Sequence, residues 1–216
     1  MEDLPERFPR NTREAMVRLC PFGERVLEIG FGDGKVLYNL RGKFKNLFGV
    51  EISAQRCSKT LAALKEKNIP AECFVQSIED GLNFPAGFFD VIIWSDVIEH
   101  VMNVWKAMEE VSRLLAKGGT LITATPNMAF IVRRLRLMMG RFPSTCVKDE
   151  GLRITREGEL FDGGHLHYFT FGSIERLYWK YGIRPQLRVG FGRFGRLHNL
   201  HPSLLSGVAC VVGQKL

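Results

Sequence analysis

The sequence predicts an α/β fold: a parallel sheet with helices on both faces. Short apolar runs alternate with amphipathic stretches of helical period up to residue 125. The links between them are short and carry glycines or helix-capping residues. The apolar runs are continuous rather than alternating, as expected of strands covered on both faces.

Taken in order, residues 11–20 have amphipathic spacing and predict a short helix. RVLEI (25–29) ends at a glycine cluster and reads as a buried parallel strand. Residues 34–41 predict a helix opening just after Gly32 and Asp33, and NLFGVE (46–51) predicts the second strand. SAQRCSKTLAALKEK (53–67) predicts a helix with Ser53 as its N-cap. Residues 71–76 and FFDVIIWS (88–95) give a third and a fourth strand. A helix follows at about 101–116, closed by Gly118–Gly119, and TLITAT (120–125) is a fifth strand.

The rhythm then breaks. Residues 127–168 are irregular, rich in arginine and glycine, and too long for a plain connection. Loops of that length in a compact domain are usually lids or binding segments. Order returns with a helix near 171–181, N-capped by Thr170, a strand near 183–189 and a final strand near 206–213. The expected organisation is one domain over 1–216, with a core at about 24–126 and an inserted lid at about 127–168.

With 45% hydrophobic residues, the 216-residue chain has apolar mass for one core. No apolar run approaches the roughly 18 residues of a membrane span. The opening MEDLPERFPRNTREA lacks the apolar stretch of a secretory leader. The five cysteines are scattered, odd in number and form no CxxC pair, which suits reduced thiols rather than disulfides or zinc. A cytoplasmic location is therefore expected. The net charge of +7 bears on partners and solubility, not on fold.

The first strand runs into Glu28-Ile29-Gly30-Phe31-Gly32-Asp33-Gly34. Glycines there let the backbone turn tightly and approach a ligand, and the next helix aims its free N–H groups at the same place. The second strand ends in Glu51, 21 residues after Gly30, where a carboxylate can accept the hydroxyls of a ribose. Together these features point to an adenosine-containing cofactor. The third glycine of the NAD fingerprint GxGxxG falls one position early, at Gly34, with Lys35 in its place. An acid such as Glu28 beside the loop suits a cationic sulfonium amino acid better than a pyrophosphate.

VLEIGFGDG (26–34) resembles motif I of class I S-adenosylmethionine-dependent methyltransferases, and GVE (49–51) resembles their second motif. FDVIIWSDVIEHV (89–101) is similar to the fourth-strand motif of the branch with the ubiquinone-biosynthesis O-methyltransferases. LLAKGGTLITATPN (114–127) resembles the next motif. The similarity covers about 24–127 and resumes at HLHYFTFGSIERLYWKYGI (165–183). QSIEDGL (76–82) with FPAGFFDVII (84–93), and PN with the arginine-rich stretch after it, also resemble MetW-like proteins of methionine biosynthesis.

This resemblance implies a Rossmann-like, mostly parallel sheet of seven strands, the last antiparallel, and S-adenosyl-L-methionine as cofactor. It implies that Glu28, Gly30 and Gly32 line the methionine end, with Ser95 beside it. Glu51 would hold the ribose, Ile52 would lie against the adenine, and Ser77 and Ile78 would form the adenine edge. Many members carry Asp where Ser77 stands, so the adenine amino group meets a weaker acceptor here unless Glu79 substitutes.

Methyl transfer from a sulfonium is an in-line displacement, so the protein mainly positions two partners and excludes water. A hydroxyl acceptor also needs a base. His100, just past the fourth strand, is the candidate base, and its neighbour Glu99 can orient it. In the related ubiquinone enzymes an acid and a histidine here hold a divalent cation. His165 and His167 alternate in an extended segment, so both are expected to face the crevice as weaker candidates. Without a third ligand nearby, no metal site is assigned.

The expected activity is methyl transfer to a small-molecule or lipid-like acceptor, at oxygen. The alternatives are a MetW-like accessory protein that binds a partner enzyme, and an RNA methyltransferase. The latter is disfavoured because WSDVIEHV (94–101) lacks the Asn/Asp-Pro-Pro-aromatic motif that stacks an extruded base. Arg133, Arg134, Arg136, Arg141 and Lys148 in the insertion have no acid between them, and Phe130, Ile131, Leu135, Met138 and Met139 recur at near-helical spacing. That pattern reads as a lid helix, or as a contact to a membrane surface or lipid-like substrate.

Overall fold

The computed structural model describes residues 8–146, 162–192 and 194–216. Seven strands lie in one sheet: β1 (Gly23–Ile29), β2 (Phe44–Glu51), β3 (Ala71–Val75), β4 (Phe89–Ser95), β5 (Leu115–Pro126), β6 (Ile183–Val189) and β7 (Val208–Lys215). Their order is β3-β2-β1-β4-β5-β7-β6, and only β7 runs antiparallel to its neighbours. The helices are α1 (Thr12–Leu19), α2 (Lys35–Leu40), α3 (Ala54–Glu66), α4 (Val104–Leu114), α5 (Ile131–Met138), α6 (Phe171–Lys180) and α7 (Pro202–Leu205). The Rossmann-like fold expected from the sequence is the fold observed.

Alternate strand residues face opposite layers. Leu27, Ile29, Phe48, Ile92, Trp94 and Leu121 pack against α4 and α6. Val26, Leu47, Val91, Ile93 and Ile122 pack against α1, α2 and α3. Two-sided burial explains why these strands read as unbroken apolar runs. Side-chain caps set the helix starts: Asn11 for α1, Ser53 for α3, Asn103 for α4 and Thr170, in a capping box with Ser173, for α6.

Two expectations are corrected. The helix predicted at 101–116 starts at Val104, because Asn103 is its cap, and stops at Leu114, because Leu115 already pairs with Phe89. Gly118–Gly119 therefore does not end a helix but sits in a bulge within β5, where pairing jumps from Phe89–Leu115 to Val91–Thr120. Gly118 has φ +75°, and a Cβ on Gly119 would lie 2.8 Å from the Ala116 carbonyl oxygen. In the insertion, Ile131–Met138 forms the helix that the apolar spacing over 130–139 expected, while 147–161, including Lys148, lies outside the described residues. Among the described residues, no helix is long and apolar enough to cross a membrane.

Tyr178 ties α6 to the sheet. Its hydroxyl donates to Thr123 Oγ1 at 2.7 Å, which also accepts from Trp94 Nε1 at 2.5 Å. Its ring fills the space over Gly213, where a Cβ would stand 2.5 Å from Cδ2. Tyr178→Phe should lower the unfolding free energy by about 1 kcal/mol. Gly213→Ala should cost about 1–3 kcal/mol through overpacking. Urea denaturation checks both, and a smaller loss for Gly213→Ala than for Tyr178→Phe would contradict this account of the packing.

Candidate active site

β1 pairs with β2 on one side and β4 on the other, so the strand order reverses there and a crevice opens beyond the C-terminal strand ends. Ile29 stands opposite Val50 and Trp94, so Gly30, Glu51 and Ser95 leave the sheet side by side. The chain then turns through Gly30 and Gly32, both at positive φ. A Cβ on Gly30 would overlap Val97, so only glycine fits.

Glu51 holds this loop in place. Its Oε2 accepts from Gly32 N at 3.2 Å and its Oε1 from Ser53 N at 3.0 Å. Each oxygen keeps a further lone pair for a ligand hydroxyl. Thr60 on α3 donates to the Gly32 carbonyl at 2.7 Å, which ties the loop to a second element.

Two cavities meet at Gly30 and Asp96. The first, about 460 Å³, is lined by Arg13, Glu28, Gly32, Asp33 and Ser95. The second, about 630 Å³, is lined by Glu51, Ile52, Arg56, Ser77, Ile78 and His100. The residues expected at the methionine end thus line the first cavity and those expected at the ribose and adenine line the second. Ile52 is 76% exposed at the rim, a free apolar face for a flat ring, whereas Ile78 is buried in the floor.

Ser77 Oγ accepts from Glu79 N at 3.2 Å, capping a single turn. Glu79 lines the second cavity as well. Its two oxygens accept from Met102 N at 3.1 Å and Asn103 N at 2.6 Å, so it braces the start of α4.

Glu28 is buried, and its Oε2 has no partner among the described residues. Burial pushes its carboxyl up to about 8, against a backbone hydrogen bond from Leu37 that acts the other way. An orphaned carboxylate oxygen beside a cavity is the acceptor that a cationic ligand group requires. Asp96, which opens on both cavities, is pushed up to about 6 by desolvation and holds φ +55°, uncommon for a residue other than glycine. Sequence reasoning gave Asp96 no role, although its place directly after the fourth strand was a signal.

Beyond Asp96 lie three groups that the chain separates widely. Glu99 is buried; its Oε2 accepts from Thr125 Oγ1 at 2.8 Å, while Oε1 has no hydrogen-bond partner among the described residues and lies 4.0 Å from His165 Nε2. Burial, with Asp96 adding to it, pushes Glu99 up to about 7. The rings of His100 and His165 are 4.7 Å apart. His100 Nδ1 faces the Gly164 carbonyl at 3.2 Å and must be the donor, so in the neutral ring Nε2 is the acceptor. The Thr145 hydroxyl donates to Asp162, so at 2.6 Å it accepts from His165 Nδ1 and leaves that ring's Nε2 unprotonated as well. Desolvation first, and then His100, lowers the His165 pKa.

One ligand atom from each of Glu99, His100 and His165 lies within 4.8 Å of the others. The expectation of no metal site rested on the lack of a third ligand, but here the fold supplies a carboxylate and two imidazoles, a set that fits a divalent cation. A cation bound there would act as a Lewis acid on an acceptor oxygen. His167 does not join its neighbour. Its Nε2 bonds the Val101 carbonyl at 2.9 Å, so the alternation expected to aim both histidines into one crevice fails. The Thr145–Asp162 support was also missed, since 17 residues separate the two and no local pattern links them.

The comparisons with known proteins agree with this geometry. Residues 2–186 match the methyltransferase domain family. The ubiquinone biosynthesis O-methyltransferase of Xanthomonas axonopodis pv. citri is 27% identical over 110 residues, which is 51% of this chain and 46% of the relative. The uncharacterized methyltransferase YcgJ of Bacillus subtilis is 29% identical over 100 residues, 46% of this chain and 40% of the relative. The chain thus matches less than half the length of these curated relatives. Among solved structures, the YcgJ protein superposes with a TM-score of 0.67 at 16% identity, covering 94% of this chain and 97% of that one. An S-adenosylmethionine-dependent methyltransferase from Mesorhizobium loti gives 0.66 at 16% identity, covering 94% and 96%. The chain belongs to the methyltransferase domain family.

Folding holds the Glu28 proton up to about pH 8, whereas the unfolded carboxyl loses it near 4.5. The ligand-free protein should therefore lose stability as pH rises through that window. A ligand ammonium beside Glu28 favours the ionised form, so binding S-adenosylhomocysteine at pH 7 should release a proton. Calorimetry in buffers of different ionisation enthalpy reads that release directly. Glu28→Gln should abolish it and weaken binding about tenfold. Identical heats in all buffers would exclude this role for Glu28.

Proposed function

We propose that the chain transfers the methyl group of S-adenosylmethionine to a hydroxyl of a small, lipid-like acceptor. The observation that supports this most is the Glu99–His100–His165 cluster beside the cofactor cleft. It presents an unprotonated imidazole nitrogen where a hydroxyl would lose its proton. The ubiquinone biosynthesis relative is named as an O-methyltransferase, which agrees with an oxygen acceptor.

The acceptor would reach the cleft from a further cavity of about 660 Å³. Met102 lines both, and Trp105, Tyr168, Phe169 and Leu177 give the outer cavity an apolar wall. Arg176 and Lys180 stand at the same wall and no acid lines it among the described residues, which favours an acceptor with an apolar body and a negative or strongly polar group. Such a site suits a lipid-like phenol and does not suit a nucleic-acid backbone, for which a broad basic groove would be needed.

His100 Nε2 takes the acceptor proton as the acceptor oxygen attacks the methyl carbon and the carbon–sulfur bond breaks. S-adenosylhomocysteine leaves with the electron pair of that bond. Buried Glu99 stabilises the imidazolium that forms, and it does so only when ionised. The rate should therefore rise as pH passes about 7, where Glu99 loses its proton.

His100→Ala should lower kcat on a phenolic acceptor by about 10²–10⁴-fold, with the Kd for S-adenosylhomocysteine unchanged. Glu99→Gln should flatten the rise near pH 7. An unchanged kcat in His100→Ala would overturn the assignment of the base. Transfer to an amine in preference to any hydroxyl would overturn the acceptor class.

A further inference from the structure

The amphipathic helix α5 is mounted in reverse. The one fully buried side chain in Ile131–Met138 is Arg133. Its Nε donates to the Ser144 carbonyl at 3.0 Å, and its Nη1 donates to the Asn127 and Gly207 carbonyls at 2.9 and 2.7 Å. The helix is thus held to the domain by a cation and carbonyl oxygens, and its apolar residues point away. Met138 is 82% exposed, Met139 60%, Leu135 48% and Val132 42%, with Phe142 at 49% just beyond, while Leu137, 64% exposed, lies outside this stripe between Arg133 and Arg134.

At about 100° per residue, Ile131, Val132, Leu135, Met138 and Met139 fall within an arc of about 120°. Arg134 borders that arc on one side and Arg136 on the other, with Arg133 opposite its centre. Residues 127–142 contain no Asp or Glu. An apolar ridge between two cationic borders matches an interface where acyl chains lie beneath anionic headgroups. A second copy of this chain fits less well, because two such faces would bring their arginines together.

We propose that α5 docks this protein on an anionic lipid surface through Val132, Leu135, Met138 and Met139, with Arg134 and Arg141 among the headgroups. This inference is independent of the acceptor assignment, and its test needs no turnover. The protein should float with phosphatidylcholine vesicles containing phosphatidylglycerol and bind pure phosphatidylcholine about tenfold more weakly or less. The preference should fade in high salt. Leu135→Glu/Met138→Glu should lower vesicle binding about tenfold or more. Arg134→Glu/Arg141→Glu should erase the preference for phosphatidylglycerol. In both variants the Tm and the affinity for S-adenosylhomocysteine should stay as in the parent, since the altered side chains are exposed. Equal binding to both vesicle types, or to neither, overturns the proposal. So does a several-degree drop in Tm for Leu135→Glu/Met138→Glu, which would mean that the chain itself covers this face. A dimer in solution that the same variant makes monomeric would assign the face to a second copy and also overturn it.

Discussion

The reversal of strand order between β1 and β4 is the constraint from which the rest of the site follows. Because β1 pairs in parallel with β2 on one side and β4 on the other, three C-terminal strand ends stop level with one another. The helices that follow them diverge to opposite faces, and backbone N–H groups and side chains converge on the gap between. Glu51 fixes that gap by bonding the backbone of the glycine loop and the start of its own helix at once. A ligand that replaces none of these bonds can still use the carboxylate's outer lone pairs, so the site is in place before anything enters it.

The cleft collects carboxyl groups that burial disfavours as anions. Glu28, Asp96 and Glu99 are all pushed up, to about 8, 6 and 7, and desolvation is the first cause each time. Keeping such groups half-neutral costs stability that an apolar core would not. The arrangement makes chemical sense for a ligand that brings positive charge of its own, because a sulfonium and an ammonium supply what the three acids lack. The acids also differ in placement. Glu28 stands beside the glycine loop, Asp96 at the junction of the two cavities and Glu99 next to the two histidines.

The insertion shows how far burial depends on context. Arginine is among the residues least often fully buried, yet Arg133 is the inward side chain of α5 because three carbonyl oxygens meet it at good distances. Those carbonyls come from Asn127, Ser144 and Gly207, which the chain separates by up to 80 residues, so no local pattern announces the site. With the cation inward, the apolar stripe is left outward, and a helix that reads as a buried lid becomes an exposed ridge.

The sequence by itself determined the fold class, the glycine loop, Glu51 and the position of His100. Each of these follows from local chemistry: continuous apolar runs specify two-sided strands, positive φ requires glycine, and an acid at a strand end faces the crevice. Helix starts were legible for the same reason at Ser53 and Thr170, whose side chains bond their own next turn. Only the tertiary structure decided that His165 joins Glu99 and His100 while His167 turns away to Val101, and that Glu79, on the wall of the cleft, braces α4. It alone also showed Gly118–Gly119 to be a bulge and α5 to face outward. These outcomes depend on partners supplied by distant elements, whose positions are set by packing and hydrogen bonding across the whole domain and leave no period or spacing in the chain.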